Sequence, residues 1–272
     1  MIQDISPHKF DNSFKIQTPS KEDHVLGFQD KNALVRYTDT GIQCPLFKDL
    51  DLPLEGTYLF SIDHKAYFLV MEVPEQNGFS YCPLRPLTKE SPNYFGFAYA
   101  TGFHLYDWYR NRTFCGRCGT KLIPSTSERA LVCPHCGVTE YPRIFPAVII
   151  ALTHKDKILL AQYPHMKKQV LLAGFVEIGE TLEETVAREV YEEVGLNVKN
   201  IRYYKSQPWG IVSDVLAGFY CELDSEKEIR LDTNELQRAY WISRNELCYG
   251  KENLDGSLTS EMIYRFKIDA YK

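Results

Sequence analysis

The apolar residues in the first third of the chain fall in short runs separated by turn signals. Tyr58 to Ile62 and Tyr67 to Val73 are two such runs, and Gln76-Asn77-Gly78 is typical of a turn. Short runs divided in this way favour strands and hairpins. From about Gly96 to Arg112 apolar residues recur without a proline, which suits a helix. The pattern predicts a small α+β domain over residues 1–110.

A different pattern begins after residue 141. A Val/Ile-rich run from Ala147 to Leu152 is followed by the turn His154 to Lys157 and by Ile158 to Leu160. This arrangement predicts two buried strands joined as a hairpin. The longest apolar stretch, Phe145 to Leu152, is far shorter than the roughly 20 residues that span a bilayer, so we expect no transmembrane segment.

The clearest predicted element is an amphipathic helix between Thr181 and Gly195. Thr181 is a good N-cap, and Glu184 three residues later completes a capping box. Gly195 fits the position just past the last helical turn. Between these ends, apolar residues recur every four positions and form one stripe: Leu182, Val186, Val190 and Val194.

Beside this stripe lies an acidic face. Glu189, Glu192 and Glu193 are spaced i, i+3 and i+4, so they share one side of the helix and repel one another. The nearby cation is Arg188. Carboxylate oxygens suit Mg²⁺ or Mn²⁺, which commonly bind carboxylates together with substrate phosphates. The alternative is an acidic helix face that is merely solvated.

The eight cysteines include two C-x-x-C pairs with fourteen residues between them, Cys115/Cys118 and Cys133/Cys136. Each pair directs two thiolates at one point, and four thiolates complete a tetrahedral shell with no open position. We therefore predict one structural Zn²⁺ per chain. Redox dithiols are the alternative, but they call for a thioredoxin-like βαβ context that this sequence lacks. The remaining four are expected to be buried or partly buried free thiols: Cys44, Cys82, Cys221 and Cys248.

Composition and charge exclude several classes of protein. The 272 residues are 44% hydrophobic and 25% charged, which is typical of a folded domain and not of a disordered chain. A net charge of -5 argues against bulk attraction to nucleic acid or to anionic membranes. The N-terminal residues lack a basic region followed by an apolar run, so a cytoplasmic protein is the default expectation.

The spacing around the acidic helix resembles the complete Nudix box. Its elements stand in this chain as Gly174, five residues, Glu180, seven residues, Arg188-Glu189-Val190, one residue, Glu192-Glu193, one residue, and Gly195-Leu196. The resemblance implies an αβα sandwich with a mixed sheet. It also implies cleavage of a nucleoside diphosphate linked to another group, by divalent-metal-assisted attack of water.

Further motifs narrow the resemblance to the NADH pyrophosphatase family. They are the four cysteines, Tyr141-Pro142-Arg143, Pro146-Ala147-Val148-Ile149, Ala173-Gly174-Phe175-Val176-Glu177 and Ser206-Gln207-Pro208-Trp209. The family implies an N-terminal domain, a zinc ribbon at 111–141 and a Nudix domain at 142–272, usually as a homodimer. It splits NAD(H) into AMP and nicotinamide mononucleotide, and action on NAD-capped RNA is a further possibility.

The resemblance also implies roles for individual residues. The catalytic Mg²⁺ or Mn²⁺ ligands fall on the main-chain carbonyl of Ala173 and on Glu189, Glu193 and Glu235, with Glu192 in the same acidic set. Arg188 is expected to orient the glutamates, and Glu180 to steady the junction between loop and helix. The substrate-binding set that the resemblance implies is Tyr141, Phe175, Gln207, Pro208 and Trp209. Core packing is the alternative for the two aromatic residues Tyr141 and Phe175, whose flat rings otherwise suit base or nicotinamide stacking.

One departure from the family pattern leaves the substrate open. Where the family continues with Pro-Phe-Pro after the tryptophan, this chain reads Gly210-Ile211-Val212. Without the prolines we expect a more flexible or more strand-like segment. Other pyrophosphatase substrates are therefore alternatives: ADP-ribose, dinucleoside polyphosphates or the NAD cap of RNA. A second alternative is a non-catalytic regulator that senses a nucleotide and binds nucleic acid through its zinc ribbon. The acidic pI and the intact glutamates disfavour this alternative.

Overall fold

The computed structural model describes residues 1–90, 92–164 and 168–271, which form two compact units. The N-terminal unit comprises Ile2–Ile144 and the short segment Trp209–Ser213. The C-terminal unit comprises Phe145–Pro208 and the chain from Asp214 onward, together with Met1. The expected division into three domains, at 110 and 141, stays a prediction.

In the described residues of the N-terminal unit, two consecutive helices stand between a series of eight strands and the three strands of the ribbon. In chain order they are β1 (Phe10–Asp11), β2 (His24–Leu26), β3 (Phe28–Gln29), β4 (Asn32–Thr38), β5 (Gly41–Gln43), β6 (Thr57–Ile62), β7 (Lys65–Leu69), β8 (Ser80–Pro83), α1 (Leu84–Leu87), α2 (Asn93–Asn111), β9 (Ile123–Pro124), β10 (Leu131–Val132) and β11 (Thr139–Glu140), with a 3₁₀ turn at Phe47–Asp49. Strands β1, β6, β7 and β2 form one sheet, and β4 pairs with β3, β5 and β8. The predicted hairpin is confirmed, because β6 and β7 pair in antiparallel fashion.

Helix α2 lies at the centre of this unit. Eleven of its residues are buried, among them Tyr99, whose hydroxyl donates a hydrogen bond to the Leu34 carbonyl at 2.7 Å. A helix was expected from about residue 96, and it begins three residues earlier, directly after Pro92. Proline suits a helix start because its missing N–H has no intrahelical partner there. The α+β character predicted for the first third is confirmed.

The ribbon is a small antiparallel sheet in the order β11-β10-β9. Two glycines with left-handed backbone, Gly119 and Gly137, each have φ +73°. Their amides donate to the carbonyls of Cys115 and Cys133, at 2.9 and 3.0 Å. These turns are the tight ones that the glycine after each C-x-x-C pair predicts.

A six-stranded mixed sheet forms the C-terminal unit. Its elements are β12 (Phe145–His154), β13 (Lys157–Gln162), β14 (Leu172–Phe175), α3 (Leu182–Val194), β15 (Val198–Trp209), β16 (Asp214–Leu223), β17 (Arg238–Ser243) and α4 (Leu258–Lys267), with a 3₁₀ turn at Lys251–Asn253. The strand order is β15-β16-β12-β13-β17, and β14 pairs with β12. β12 and β16 run parallel while the other pairs of β12 are antiparallel. The predicted hairpin of β12 and β13 is confirmed.

The two faces of this sheet pack against different helices. Alternate residues of β12, such as Val148 and Ile150, pack with the Val186–Val190 stripe of α3. Their neighbour Ile149 points to the other face and packs with α4. Side chains of a strand alternate between faces, so one strand serves both cores. The predicted αβα sandwich with a mixed sheet is confirmed.

Helix α3 begins and ends where its caps predict. The Thr181 hydroxyl accepts from the Glu184 amide at 3.2 Å, and the Glu184 carboxylate accepts from the Thr181 amide at 2.8 Å. Gly195 closes the helix in the left-handed region with φ +70°. These local bonds fix the start of the helix and with it the angular position of the glutamates.

The segment after Trp209 is a tight turn and not a strand. A Cβ on Gly210 would lie 2.1 Å from the carbonyl oxygen of Ala100 in α2, so only glycine fits this close approach. Ile211 is 9% exposed and belongs to the core cluster of the N-terminal unit. None of the helices in the described residues is both long and apolar enough to cross a bilayer.

Candidate active site and zinc centre

Glu189 lies against the backbone of Gly174, in the space that a side chain would occupy. A Cβ on Gly174 would be 1.8 Å from the carboxyl carbon of Glu189. Strand β14 brings Gly174 opposite Val148 of β12, on the sheet face that α3 covers. Glu189 is 7% exposed, and this burial raises the pKa of its carboxyl group. The glycine of the box therefore admits a carboxylate directly onto the sheet.

Arg188 connects the helix to the loop before it. Its guanidinium donates to both carboxylate oxygens of Glu180, at 2.6 and 2.9 Å, and to the Phe175 carbonyl at 2.8 Å. It also donates to Glu189 at 2.8 Å and to Glu192 at 2.9 Å. The Arg188 bonds lower the pKa of Glu180 to about 2, so this carboxyl stays ionised. These contacts are those expected of an arginine that orients glutamates.

Glu193 is the most deeply buried carboxylate of the set, with 1% exposure. Its Oε1 accepts a 2.8 Å hydrogen bond from the Tyr163 hydroxyl, and its Oε2 is buried without a partner among the described residues. Burial raises the pKa of Glu193 to about 8, and the negative charges of Glu189 and Glu235 add to this effect. A buried carboxylate with an unpaired oxygen is costly unless a cation offsets it.

Glu235 lies in the loop between β16 and β17, exposed to solvent. The Asp232 amide donates to the main-chain carbonyl of Glu193 at 2.9 Å, and the Glu235 amide donates to the Asp232 carbonyl at 3.3 Å. These bonds tie the loop to the end of α3. Glu235 therefore acts electrostatically on both Glu189 and Glu193.

These residues fit a divalent cation. The donors are hard oxygens, as Mg²⁺ and Mn²⁺ prefer, and the unpartnered Oε2 of Glu193 is an orphaned acceptor in a buried position. The carbonyl of Ala173 belongs to the same group, since the hydroxyl of Tyr163 lies 3.4 Å from it and 2.8 Å from Glu193. Tyr163 thus joins Ala173 of β14 to Glu193 of α3, and the charges of Glu189 and Glu235 are close enough to raise the pKa of Glu193.

Sequence reasoning missed two residues here, Tyr163 and Asp232. Tyr163 follows the last residue of β13, and Asp232 lies in the loop between β16 and β17; neither belongs to a motif that the sequence analysis singled out. Both act through hydrogen bonds to Glu193, 30 and 39 positions away in the chain. No local pattern signals such a bond.

The expected substrate-binding residues are distributed over both units. Tyr141, in the N-terminal unit, is 54% exposed, and its hydroxyl donates to Glu128 at 3.1 Å. Phe175, in the C-terminal unit, is 56% exposed, and Pro208 is also exposed. Trp209 packs against the core cluster of the N-terminal unit. The exposed rings of Tyr141 and Phe175 present aromatic faces to solvent.

Gln207 has a different environment. Its side chain is fully buried, its amide nitrogen donates to the Gly256 carbonyl at 2.8 Å, and its oxygen accepts from the Leu258 amide at 2.7 Å. Leu258 is the first residue of α4, so Gln207 satisfies one of the backbone donors that a helix start leaves unpaired. In this structure Gln207 anchors the start of α4.

The four sulfur atoms of the ribbon lie within 4.8 Å of one another. The Sγ of Cys118 lies 3.4 Å from that of Cys133 and 3.5 Å from that of Cys136, and Cys115 and Cys136 are 3.6 Å apart. Tetrahedral Zn–S bonds of about 2.3 Å would separate the sulfurs by about 3.8 Å. The cluster therefore fits one four-coordinate Zn²⁺, as the spacing predicts.

The other cysteines follow expectation except one. Cys44 and Cys221 are buried and Cys82 is partly buried, but Cys248 is exposed. The prediction of a buried or partly buried thiol was wrong for Cys248. This residue lies in the loop after β17, where no strand or helix of the described residues covers it.

Two family models match consecutive segments of the chain. The NADH pyrophosphatase zinc ribbon domain matches residues 110–141, and the NUDIX domain matches residues 143–264. Together they take in the cysteine cluster, the α3 glutamates and the loop of Glu235.

Curated relatives match about half of the chain. The NAD-capped RNA hydrolase NudC of Escherichia coli O1:K1 is 46% identical over 148 residues, which is 54% of this chain and 57% of the relative. The protein of the same name from Salmonella paratyphi C is 47% identical with the same coverage. The match thus spans little more than half the length of these relatives. A solved NUDIX hydrolase from Nitrosomonas europaea, 24% identical, has a TM-score of 0.50 over 58% of this chain and 91% of its own, a likeness of fold.

Proposed function

We propose that this chain, a member of the Nudix hydrolases that carry an NADH pyrophosphatase zinc ribbon, hydrolyses the pyrophosphate bond of NAD(H) to AMP and nicotinamide mononucleotide. The observation that carries the proposal is the pair of buried carboxylates on α3. Glu189 sits against Gly174, and Glu193 keeps one oxygen without a partner in the described residues. A pair of buried carboxylates suits a divalent cation, because the cation would offset their negative charge.

In this proposal Mg²⁺ or Mn²⁺, when bound, supplies a Lewis acid for the pyrophosphate oxygens and lowers the pKa of the attacking water. Glu189, Glu193, Glu235 and the Ala173 carbonyl hold the cation. Arg188 keeps Glu189 and Glu192 in place and, through Glu180 and the Phe175 carbonyl, holds the loop against the helix. The exposed ring of Phe175, in the same unit as the glutamates, offers a stacking surface for the base or the nicotinamide, and a stacking role for Tyr141 stays a prediction.

A product assay tests this function. The purified protein is incubated with NADH, NAD⁺ or ADP-ribose in the presence of Mg²⁺ or Mn²⁺, and the nucleotides are separated by chromatography. From NAD⁺ or NADH we expect AMP and the oxidised or reduced nicotinamide mononucleotide in equal amounts, with turnover lost when the metal is omitted. Equal rates on NADH and ADP-ribose would replace the nicotinamide-specific proposal with a broader pyrophosphatase. Binding of nucleotides without turnover would support the non-catalytic alternative.

A second candidate substrate is RNA that carries an NAD cap. It is favoured by the relatives at 46–47% identity, whose name describes that activity. The same bond would be cut, so the same carboxylates would serve both substrates. Competition between NADH and a short NAD-capped RNA tests this candidate: a lower KM for the RNA would favour it, and no cleavage of the RNA would exclude it.

A homodimer and a cytoplasmic location complete the proposal, and both are carried over from the expectations that the sequence raised. Light scattering coupled to size-exclusion chromatography measures the first. A mass near twice 31.5 kDa supports the dimer.

A further inference from the structure

We infer that Tyr163 is a positioning residue for the carboxylate site. Its hydroxyl holds Glu193 of α3 and the backbone of Ala173 in β14 in one fixed arrangement. This inference rests on the proposed function, because it assigns a role within that same site. Tyr163 lies outside every motif that pointed to the site.

The direction of each hydrogen bond follows from the atoms involved. The Ala173 amide can only donate, so at 3.0 Å the Tyr163 oxygen accepts from it. The hydroxyl then has one hydrogen to give, and its two possible acceptors are Glu193 Oε1 at 2.8 Å and the Ala173 carbonyl at 3.4 Å. The shorter contact is the stronger one. The hydroxyl hydrogen is therefore directed at Glu193.

This arrangement leaves two oxygen atoms available for a cation. Tyr163 occupies Oε1 of Glu193, while Oε2 keeps no partner among the described residues. Because the hydroxyl hydrogen goes to Glu193, the carbonyl of Ala173 keeps its lone pairs. One hydroxyl thus selects which carboxylate oxygen faces the cation and sets its distance from the Ala173 carbonyl.

Core packing does not account for the hydroxyl. The ring of Tyr163 packs against the cluster between the sheet and α3, and phenylalanine would fill that space as well. A buried hydroxyl is costly unless it is bonded, and here it bonds to the two elements that carry the site. Partners that hold metal ligands in place typically contribute about 10-fold to 100-fold in metal affinity or activity.

The test compares Tyr163→Phe with Tyr203→Phe. Tyr203 also lies in the C-terminal unit, but its ring is 54% exposed and its hydroxyl has no hydrogen bond to the described residues. Mn²⁺ affinity is measured by electron paramagnetic resonance, which reports free Mn²⁺ and requires no substrate. We expect Tyr163→Phe to bind Mn²⁺ about 10-fold to 100-fold more weakly, and Tyr203→Phe to match the wild type. Unchanged affinity in Tyr163→Phe would overturn the inference.

A double-mutant cycle separates positioning from a general loss of structure. If Tyr163 acts through Glu193, adding Tyr163→Phe to Glu193→Gln causes little further loss of Mn²⁺ affinity. If the losses of Mn²⁺ affinity in the two single variants instead add up in the double variant, Tyr163 acts through the fold and not through Glu193. A Tyr163→Phe variant that melts far below the wild type would lead to the same conclusion. With NADH as substrate, raising Mn²⁺ should restore most of the rate of Tyr163→Phe. Failure of the wild type to cleave NADH would refute only the proposed substrate, because the measurement of Mn²⁺ affinity does not depend on the substrate.

Discussion

The carboxyl group of Glu189 occupies the place where a side chain on Gly174 would begin. The distance from an added Cβ to the carboxyl carbon would be 1.8 Å, which no pair of real atoms tolerates. The two residues lie 15 positions apart, one on β14 and one on α3. The glycine is thus required by the position of the glutamate, and not by backbone strain.

Gly174→Ala should displace Glu189 and impair the site. The added methyl group forces the carboxylate off the sheet, and we expect kcat to fall about 100-fold or more, the scale of losing a preorganised charge-stabilising group. Steady-state kinetics with NADH and Mn²⁺ provide the measurement. Gly116→Ala is the control, because a Cβ at Gly116 meets nothing within 4 Å. A fully active Gly174→Ala would contradict the assigned role of Glu189.

Glu193→Gln should abolish most turnover without loss of folding. A charged ligand becomes a weak neutral one, and we expect a loss of about 100-fold or more in kcat. Near-wild-type kinetics would remove Glu193 from the metal site.

The same variant should change how stability depends on pH. Burial raises the carboxyl pKa from 4.5 to about 8, so the folded metal-free protein binds this proton more tightly than the unfolded chain. Stability contributed by the protonated group is therefore lost as pH rises from about 4.5 to about 8. Glutamine does not ionise, so the Glu193→Gln variant does not lose this contribution. The melting temperature of the variant relative to that of the wild type should therefore increase as the pH rises across this range. Parallel thermal melts of the metal-free proteins test the sign.

Cys133→Ser should lower zinc content and thermal stability together. A four-thiolate site couples metal binding to the folding of a segment with little core of its own. Elemental analysis and thermal melts measure the two effects on one preparation made without chelator. Cys248→Ser is the matched control, since Cys248 is exposed and outside the cluster. Absence of zinc from the wild-type protein would refute the zinc assignment.

Gly210→Ala should destabilise the N-terminal unit. Its Cβ would lie 2.1 Å from the Ala100 carbonyl oxygen, which belongs to the backbone of α2 and has little room to move. Overpacking of this kind costs about 1–3 kcal/mol. Denaturant unfolding measures the loss, and Val212→Ala, at an exposed position two residues on, serves as control. Equal stability of the two variants would argue against the close approach. Replacing residues 210–212 by Pro-Phe-Pro should also destabilise the N-terminal unit, because proline at position 210 would meet the same Ala100 carbonyl oxygen. We therefore expect this replacement not to improve NAD(H) binding.

The sequence alone determined the elements whose causes are local. The caps of α3, its apolar stripe and the spacing of its glutamates lie within one stretch of chain, so periodicity and capping chemistry predict the helix and the face that carries the site. The cysteine pairs predict the metal cluster because each C-x-x-C turn is local and directs two thiolates at one point, and the doubled spacing is typical of a zinc site that joins two such turns.

Tertiary structure decided which side chains meet across the chain. Tyr163 reaches Glu193 only because β13 and β14 lie in the sheet that α3 covers, and Gln207 anchors α4 from a strand 51 positions earlier. Gly210 is confined by α2, where sequence reasoning expected a flexible or extended segment. Hydrogen bonds and close backbone approaches depend on distances set by the packing of whole elements. Nothing in the spacing of residues along the chain encodes those distances, so they emerge only when the sheet and helices are assembled.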